Sequence, residues 1–382
     1  MSTMPRFNFW VGMDVHKDSI TIAVFRDREP EPHRVDRLPN DDRKLRRYFA
    51  RLQAEGEVRA CYEASGAGYV LQRTLLAWGI PCELAAPSLI PRRPGEHRKT
   101  DRRDAIKLAR DFRDHRLVLI HIPSESEERV RDLVRCRETF QREILKSRHY
   151  LLKFLRRRGF IYREGTHWTT RHMNWIRHVL MPGSLAEEDR VVLGEYLALL
   201  EYKLQRRDDL DRRIEELALT PRCKPAVDRI CAFRGFKTQA AMVLATEIGD
   251  IRRFESPRQL TAYLGLVPSE SSSGNRRRLG SITKAGNARV RHVLVQAAWH
   301  YRRRPAVGPS LAKRQAGQDP AVIAHSWKCQ HRLYKLYHRL AEKKPKQVAA
   351  TAVAREMVGF LWAVLRDLDP EYLQHSEVNQ AA

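Results

Sequence analysis

The chain has 382 residues, with 71 Lys+Arg against 46 Asp+Glu, a net charge of +25 and a pI near 10.2. That length allows two or three domains with cores of their own, and 42% hydrophobic residues is the level of a soluble globular protein. Neither a run of about eighteen apolar residues nor a basic-then-apolar leader at MSTMPRFNFW is read, which predicts no membrane span, no signal peptide and a cytoplasmic protein.

Six scattered cysteines (Cys61, Cys82, Cys136, Cys223, Cys231 and Cys329) form no close pair. This argues against a zinc ribbon or a disulfide framework and for reduced, buried thiols. A positive excess of this size fits nucleic acid, an anionic membrane or another acidic partner. Because the basic residues are spread over the whole chain and not gathered on one amphipathic helix, nucleic acid is favoured.

In chain order, VGMDV (11–15) and ITIAVF (20–25) read as strands joined by the polar turn HKDS, and HRVDRL (33–38) as a third strand. Residues 40–54 predict a helix capped by Asn40 or Asp41. VRACYE (58–63) is then a strand, followed by SGAG, a helix through Trp78 and the short strand PCELAA (81–86). A basic loop, PRRPGEHRKT (91–100), leads to a helix beginning near Asp101.

From Val130 to Phe154 the apolar residues keep a heptad spacing with two faults, Arg137 and Ser147. A second long helix is expected over 186–218, after a connection rich in Trp and His and broken at Gly183. The pair reads either as an antiparallel coiled-coil arm or as a plain helical subdomain. Beyond Pro221, residues 226–249 predict helix, turn at Arg234–Gly235–Phe236, and helix, a hairpin whose backbone N–H groups suit a phosphate although a second glycine is missing. A Ser/Gly/Arg-rich segment at 269–281 and further helices follow.

Four acids stand out. Asp14 lies in an apolar strand, where a charge is costly unless paired or metal-bound. Glu63 ends another strand. Asp101 and Asp104, three apart at a helix start, lie about 60° apart around its axis and face one way. Each alone has an ordinary reading as a helix cap or a first-turn acid. Together they have the layout of an RNase H-like site, and oxygen ligands in this number suit Mg2+ or Mn2+ acting on a phosphodiester. The segment SESSSGNRRR (269–278) offers a serine hydroxyl beside three arginines; on composition alone it reads as a flexible polar loop.

The motifs GMDVHK (12–17), YEASG (62–66), TDRRDA (100–105) and a C-terminal signature from GLVP (265–268) through Ser273–Gly274 to ITKAGNARVR (282–291) occur in that order. Over nearly the whole chain, with VAATAVAR (348–355) near the end, the sequence resembles the DEDD transposases of the insertion sequence 110 family, relatives of the pilin-gene invertases. The resemblance implies a RuvC-like α/β catalytic domain over 1–122, a coiled-coil linker and oligomerisation region over 123–220, and a mainly α transposase domain over 221–382. It implies Asp14, Glu63, Asp101 and Asp104 as ligands of Mg2+ or Mn2+, and Ser273 as the nucleophile that forms a phosphoserine link to DNA, with Ser271, Ser272 and more weakly Ser269 as alternatives. Lys99, Arg102, Arg103, Arg276, Arg277, Arg278, Lys284 and Arg291 are expected to touch nucleic acid. The expected partners are donor and target duplex DNA, a structured non-coding guide RNA and further copies of the chain, two to four. Two rival readings stay open at this stage: a junction-resolving nuclease that uses water, and a non-catalytic nucleic-acid scaffold.

Overall fold

The computed structural model describes residues 7–91, 100–180, 185–271 and 278–368. The chain divides into two compact units, Met1–Pro123 and Ser124–Ala382.

The first unit is a five-stranded mixed sheet in the order β3-β2-β1-β4-β5, built from β1 (Phe7–Val15), β2 (Ser19–Arg26), β3 (Arg34–Pro39), β4 (Gly56–Glu63) and β5 (Cys82–Ala85). β1, β2 and β3 pair antiparallel, while β1–β4 and β4–β5 are parallel. The predicted strands are all present, and β1 starts four residues earlier than the sequence pattern indicated because Phe7 and Phe9 extend the apolar alternation.

Helices α1 (Asp42–Glu55) and α2 (Val70–Ala77) accompany the sheet, and Leu45, Tyr48, Phe49, Leu52 and Leu75 pack with Phe9, Val11 and Met13. Asp41 is the α1 cap, its side chain accepting from Lys44 N at 2.9 Å. The opposite face carries α3 (Asp101–Arg113), whose Ala105, Ala109, Leu108 and Phe112 pack with Trp10, Ala23, Phe25 and Cys61. Successive strand residues alternate faces. The odd residues of β1 therefore serve the α1/α2 core, and Trp10, Gly12 and Asp14 lie on the α3 side.

In the second unit α4 (Glu125–Arg157) and α6 (Glu187–Ala218) pair antiparallel, and the short α5 (Thr170–Asn174) with a π-helical turn (Trp175–Leu180) forms part of their connection. The direction is plain from three contacts: Arg137–Asp211 at 2.7 Å, Lys203 donating to Ser147 at 3.0 Å, and Arg158–Asp189 at 2.7 Å. The two heptad faults are thus among the sites where α4 is cross-linked to α6 by polar groups. Gly183 lies outside the described residues.

Seven α-helices follow among the described residues: α7 (Lys224–Cys231), α8 (Thr238–Ile248), α9 (Pro257–Tyr263), α10 (Ala288–Ala298), α11 (Pro309–Gln315), α12 (Pro320–Ala341) and α13 (Lys346–Arg366). They enclose a core that includes Phe233, Phe236, Leu294, Tyr301, Leu333, Val353 and Met357. Among the described residues α13 alone is long and apolar enough to cross a membrane by length and composition, but Arg355 and Glu356 interrupt its apolar run, in keeping with the sequence reading. Its apolar side is spent on this core, where Ala349, Ala350, Val353, Ala354, Met357, Val358 and Leu361 are buried. Five of the six cysteines are buried, as expected, and Cys136 is exposed.

Candidate metal centre and serine-bearing ribbon

Gly12 sets the distance between β1 and α3. A Cβ there would stand 2.3 Å from Ala109 N and 2.6 Å from Ala105 O, so only glycine lets the helix backbone lie directly on the strand. One strand repeat beyond Gly12 is Asp14, and one helical turn before Ala105 is Asp101. The close approach at Gly12 brings these two carboxylates together. Thr100 fixes the helix start, its hydroxyl accepting from Arg103 N.

The ligand atoms of Asp14, His16 and Asp101 all lie within 4.8 Å of one another. His16 Nε2 sits 3.2 Å from Asp14 Oδ2 and 3.6 Å from Asp101 Oδ1, between the two carboxylates. Two oxygen donors and an imidazole nitrogen around one point form a donor set that fits a divalent cation, the carboxylates suiting Mg2+ or Mn2+ and the imidazole suiting a transition metal better than Mg2+. His16 was missing from the sequence reading of the site, although Asp-x-His within GMDVHK carried the signal.

Glu63 and Asp104 stand outside this tight group. β1 and β4 run parallel with Met13 opposite Tyr62, so the next step of the register sets Glu63 beside Asp14 on the α3 side, where Cys61 also faces. Glu63 is exposed, and Asp104 is half-buried on the first turn of α3. An open groove of about 510 Å³ adjoins Asp101, lined by Thr21, Val35, Asp36, Arg37, Thr100 and Arg102. Asp36 is not a free ligand there. It accepts from Arg34 at 2.6 Å and Tyr48 at 2.8 Å, and although burial pushes its carboxyl up, these bonds outweigh it and hold it below the usual range. Arg102 and Arg103 are exposed beside the acids.

In the second unit, β6 (Pro268–Glu270) and β7 (Leu279–Ile282) form an antiparallel ribbon extended by Ser271 N donating to Arg278 O at 2.9 Å. Ser272, Ser273, Arg276 and Arg277 fall between those two residues and lie outside the described residues, as does Lys99. Ser269, Ser271, Arg278 and Lys284 are exposed.

The base of the ribbon is locked by the two recognisable motifs. Lys284 N donates to Gly265 O at 3.1 Å, and Thr283 N to Val267 O at 2.9 Å. Gly286, at φ +119°, comes so close to the Tyr263 carbonyl that no side chain would fit. Arg291, expected at nucleic acid, turns inward here: its guanidinium donates to Leu264 O at 2.9 Å and Gly286 O at 3.1 Å. The glycine of the 234–236 turn likewise serves packing, since a Cβ on Gly235 would meet Ala297 O of α10 at 2.9 Å.

Below the ribbon lies a polar centre that sequence reasoning missed. Glu247 of α8, 3% exposed, receives Arg135 of α4 through both oxygens at 2.7 and 2.9 Å, and Asn287 at 2.7 Å. Burial pushes this carboxyl up, but the Arg135 and Asn287 bonds outweigh it and hold the group below the usual glutamate range. Asn287 also caps α10 through Arg289 N and Val290 N, so one carboxylate ties the end of the ITKAGN motif to two helices.

Residues 11–158 match a model for transposases of the DEDD type named for IS110, and residues 227–312 match the model of the IS116/IS110/IS902 transposase family. The chain is 38% identical over 366 residues to the protein named transposase y4qE of Sinorhizobium fredii, covering 94% of this chain and 88% of that one. It is 30% identical over 345 residues to the transposase for insertion sequence element IS1533 of Leptospira borgpetersenii, covering 88% and 98%. The transposase for IS1111A of Coxiella burnetii is 27% identical over 241 residues, 62% of this chain and 64% of that one.

Proposed function

This chain belongs to the IS116/IS110/IS902 family and is a DNA transposase of an insertion sequence, and from that premise we propose how its residues divide the reaction. Asp14, Asp101, Glu63 and Asp104 hold Mg2+ or Mn2+ in a RuvC-like unit, with His16 as an added donor. Bound there, the ion would draw charge from the scissile phosphate and ease attack on phosphorus.

Ser273 is the nucleophile. Its Oγ forms an ester to phosphorus as the bond from phosphorus to a deoxyribose oxygen breaks, the serine losing its proton and the leaving oxygen gaining one. One phosphodiester replaces another, so reversal of the step reseals the strand without ATP. Lys99, Arg102, Arg103, Arg276, Arg277, Arg278 and Lys284 neutralise backbone phosphates; Arg291 acts through the ribbon it braces. A structured non-coding RNA selects donor and target by base pairing, α4 and α6 act as the coiled-coil assembly element of a dimer or tetramer, and the reaction takes place on the nucleoid in the cytoplasm.

The observation that carries this reading is the meeting of Asp14, His16 and Asp101 where β1 ends and α3 begins. The net charge of +25 supports a polyanionic substrate. The test is denaturing-gel trapping of a DNA–protein adduct with Ser271, Ser272 and Ser273 each changed to Ala. Loss of the adduct with Ser273→Ala alone, DNA binding intact, is the expected result. Nicking that persists at the wild-type rate without any adduct would mean that water is the nucleophile and the serine is idle.

A further inference from the structure

Helix α12 carries no acidic residue among its 22 positions, and it lies beyond residue 312, where the family match ends. Its buried side, Val322, Ser326, Cys329, Leu333 and Tyr337, packs into the core of the second unit. Its outer side presents Trp327, Lys328, His331, Arg332, Lys335 and Arg339, all exposed.

Arg332 is paired with Glu356 at 2.7 Å. Lys328, Lys335 and Arg339 make no ion pair among the described residues. Their charges recur along about 16 Å of helix, from the 1.5 Å rise per residue, and none is neutralised by a neighbour on the same element. A solvated helix face ordinarily mixes both signs, so a row of one sign marks a polyanion-binding face.

The row is widened by a second element. Arg302, Arg303 and Arg304 are exposed on a segment whose backbone is held in place: Arg234 donates to Arg304 O at 2.8 Å, Gln330 of α12 accepts from Ala306 N at 3.1 Å, and His338 of α12 lies 3.0 Å from Arg302 O. Trp327 stands at the end of the cationic row, 42% exposed, with its ring against His331 at 4.6 Å between centroids. A half-open indole among unpaired cations is the combination that grips unpaired nucleotides, the cations meeting phosphates and the ring stacking on a base. In a duplex the base faces are hidden in the stack and the ring would find no partner.

We propose that the outer face of α12, with Arg302–Arg304, is a binding surface for an unpaired DNA strand, with Trp327 as its stacking platform. It rests on the family's DNA substrate and not on the serine chemistry, so a binding measurement separates the two.

The experiment uses full-length protein and fluorescein-labelled 15-nucleotide single-stranded DNA, the same sequence as RNA and as a blunt duplex, followed by anisotropy from 50 to 200 mM salt. Trp327→Ala should weaken single-stranded DNA binding by about 5- to 150-fold, the loss expected for one stacked base, and leave the duplex nearly unaffected. Trp327→Phe should restore most of it. Lys328→Ala/Lys335→Ala/Arg339→Ala should flatten the slope of log K against log salt by about 2, at roughly 0.7 per lost phosphate contact. Unchanged affinity and slope in both variants would overturn the proposal. Equal losses on duplex and single strand would overturn the stacking role, and losses confined to RNA would overturn the assignment to DNA.

Discussion

Replacing Gly12 with alanine tests whether the candidate metal centre depends on the contact between β1 and α3. The new methyl group would stand 2.3 Å from Ala109 N and 2.6 Å from Ala105 O. Both are backbone atoms and cannot rotate away. Reaching an ordinary van der Waals separation requires α3 to retreat by about 1 Å, an over-packing strain on the order of 1–3 kcal/mol. The first turn of α3 carries Asp101, so the retreat opens the gap to Asp14 by a comparable amount. A misplacement of about 1 Å costs roughly 10²-fold in rate, and the strain should lower the melting temperature by about 4 °C per kcal/mol. The assay is metal-dependent cleavage of a duplex carrying the insertion-sequence ends, with thermal melts in parallel. Gly66→Ala is the internal control, because a Cβ there meets nothing within 4 Å. Wild-type cleavage and melting for both variants would refute the argument.

Other predictions concern the second unit. Glu247→Gln removes the charge that Arg135 and Asn287 share, and should cost about 2–3 kcal/mol in urea unfolding at pH 7. Because the folded carboxyl is held below its ordinary range, that stability is present above the unfolded pKa and is lost as pH falls through the folded one. The wild-type and variant curves should therefore converge in acid; parallel curves would contradict the assignment.

His172 is fully buried, its ring pushed down to about 4 by burial and then by His167. The unfolded state takes up a proton first as pH falls below about 6.5, so stability should decline from there toward pH 4, by up to roughly 1.4 kcal/mol per pH unit. His172→Phe should lessen this slope, the remainder coming from His300 and His325, whose rings burial also pushes down. A double-mutant cycle on Arg137 and Asp211, both partly buried and 2.7 Å apart, should give a coupling of about 1 kcal/mol; no coupling would make the heptad fault incidental.

Most of the first unit was legible because its signals are local. Strand alternation, the Asp41 cap and the apolar face of α1 each depend on residues within a few positions of one another. The packing of α3 on β1 was not legible, since it depends on Gly12 meeting Ala105 and Ala109 more than 90 positions away, and a glycine in a strand has several uses. His16 was read as part of a polar turn because Asp-x-His is a weak local signal until the fold brings Asp101 to it.

In the middle region the heptad rows were visible, but Arg137 and Ser147 looked like defects. Their partners Asp211 and Lys203 lie on another helix, where only the fold pairs them. The bracing of the ribbon by Arg291 was hidden for the same reason: only the fold brings the carbonyls of Leu264 and Gly286 to its Nη1. Glu247 was passed over since a lone acid in an apolar helix carries no local hint of Arg135.

Cleavage of insertion-sequence-end DNA by Asp14→Asn, Asp101→Asn and wild-type protein, at fixed Mn2+ or Mg2+ and with matched melting temperatures, probes the cation-binding carboxylates most directly. Each variant keeps the shape of the residue it replaces while removing its charge and turning one acceptor oxygen into an NH2 donor. Strand cleavage falling by about 10³-fold or more in both, with DNA affinity retained, is the result predicted when the bound ion supplies several kcal/mol of charge stabilisation. Cleavage by either variant at the wild-type rate would show that the chemistry lies elsewhere in the chain.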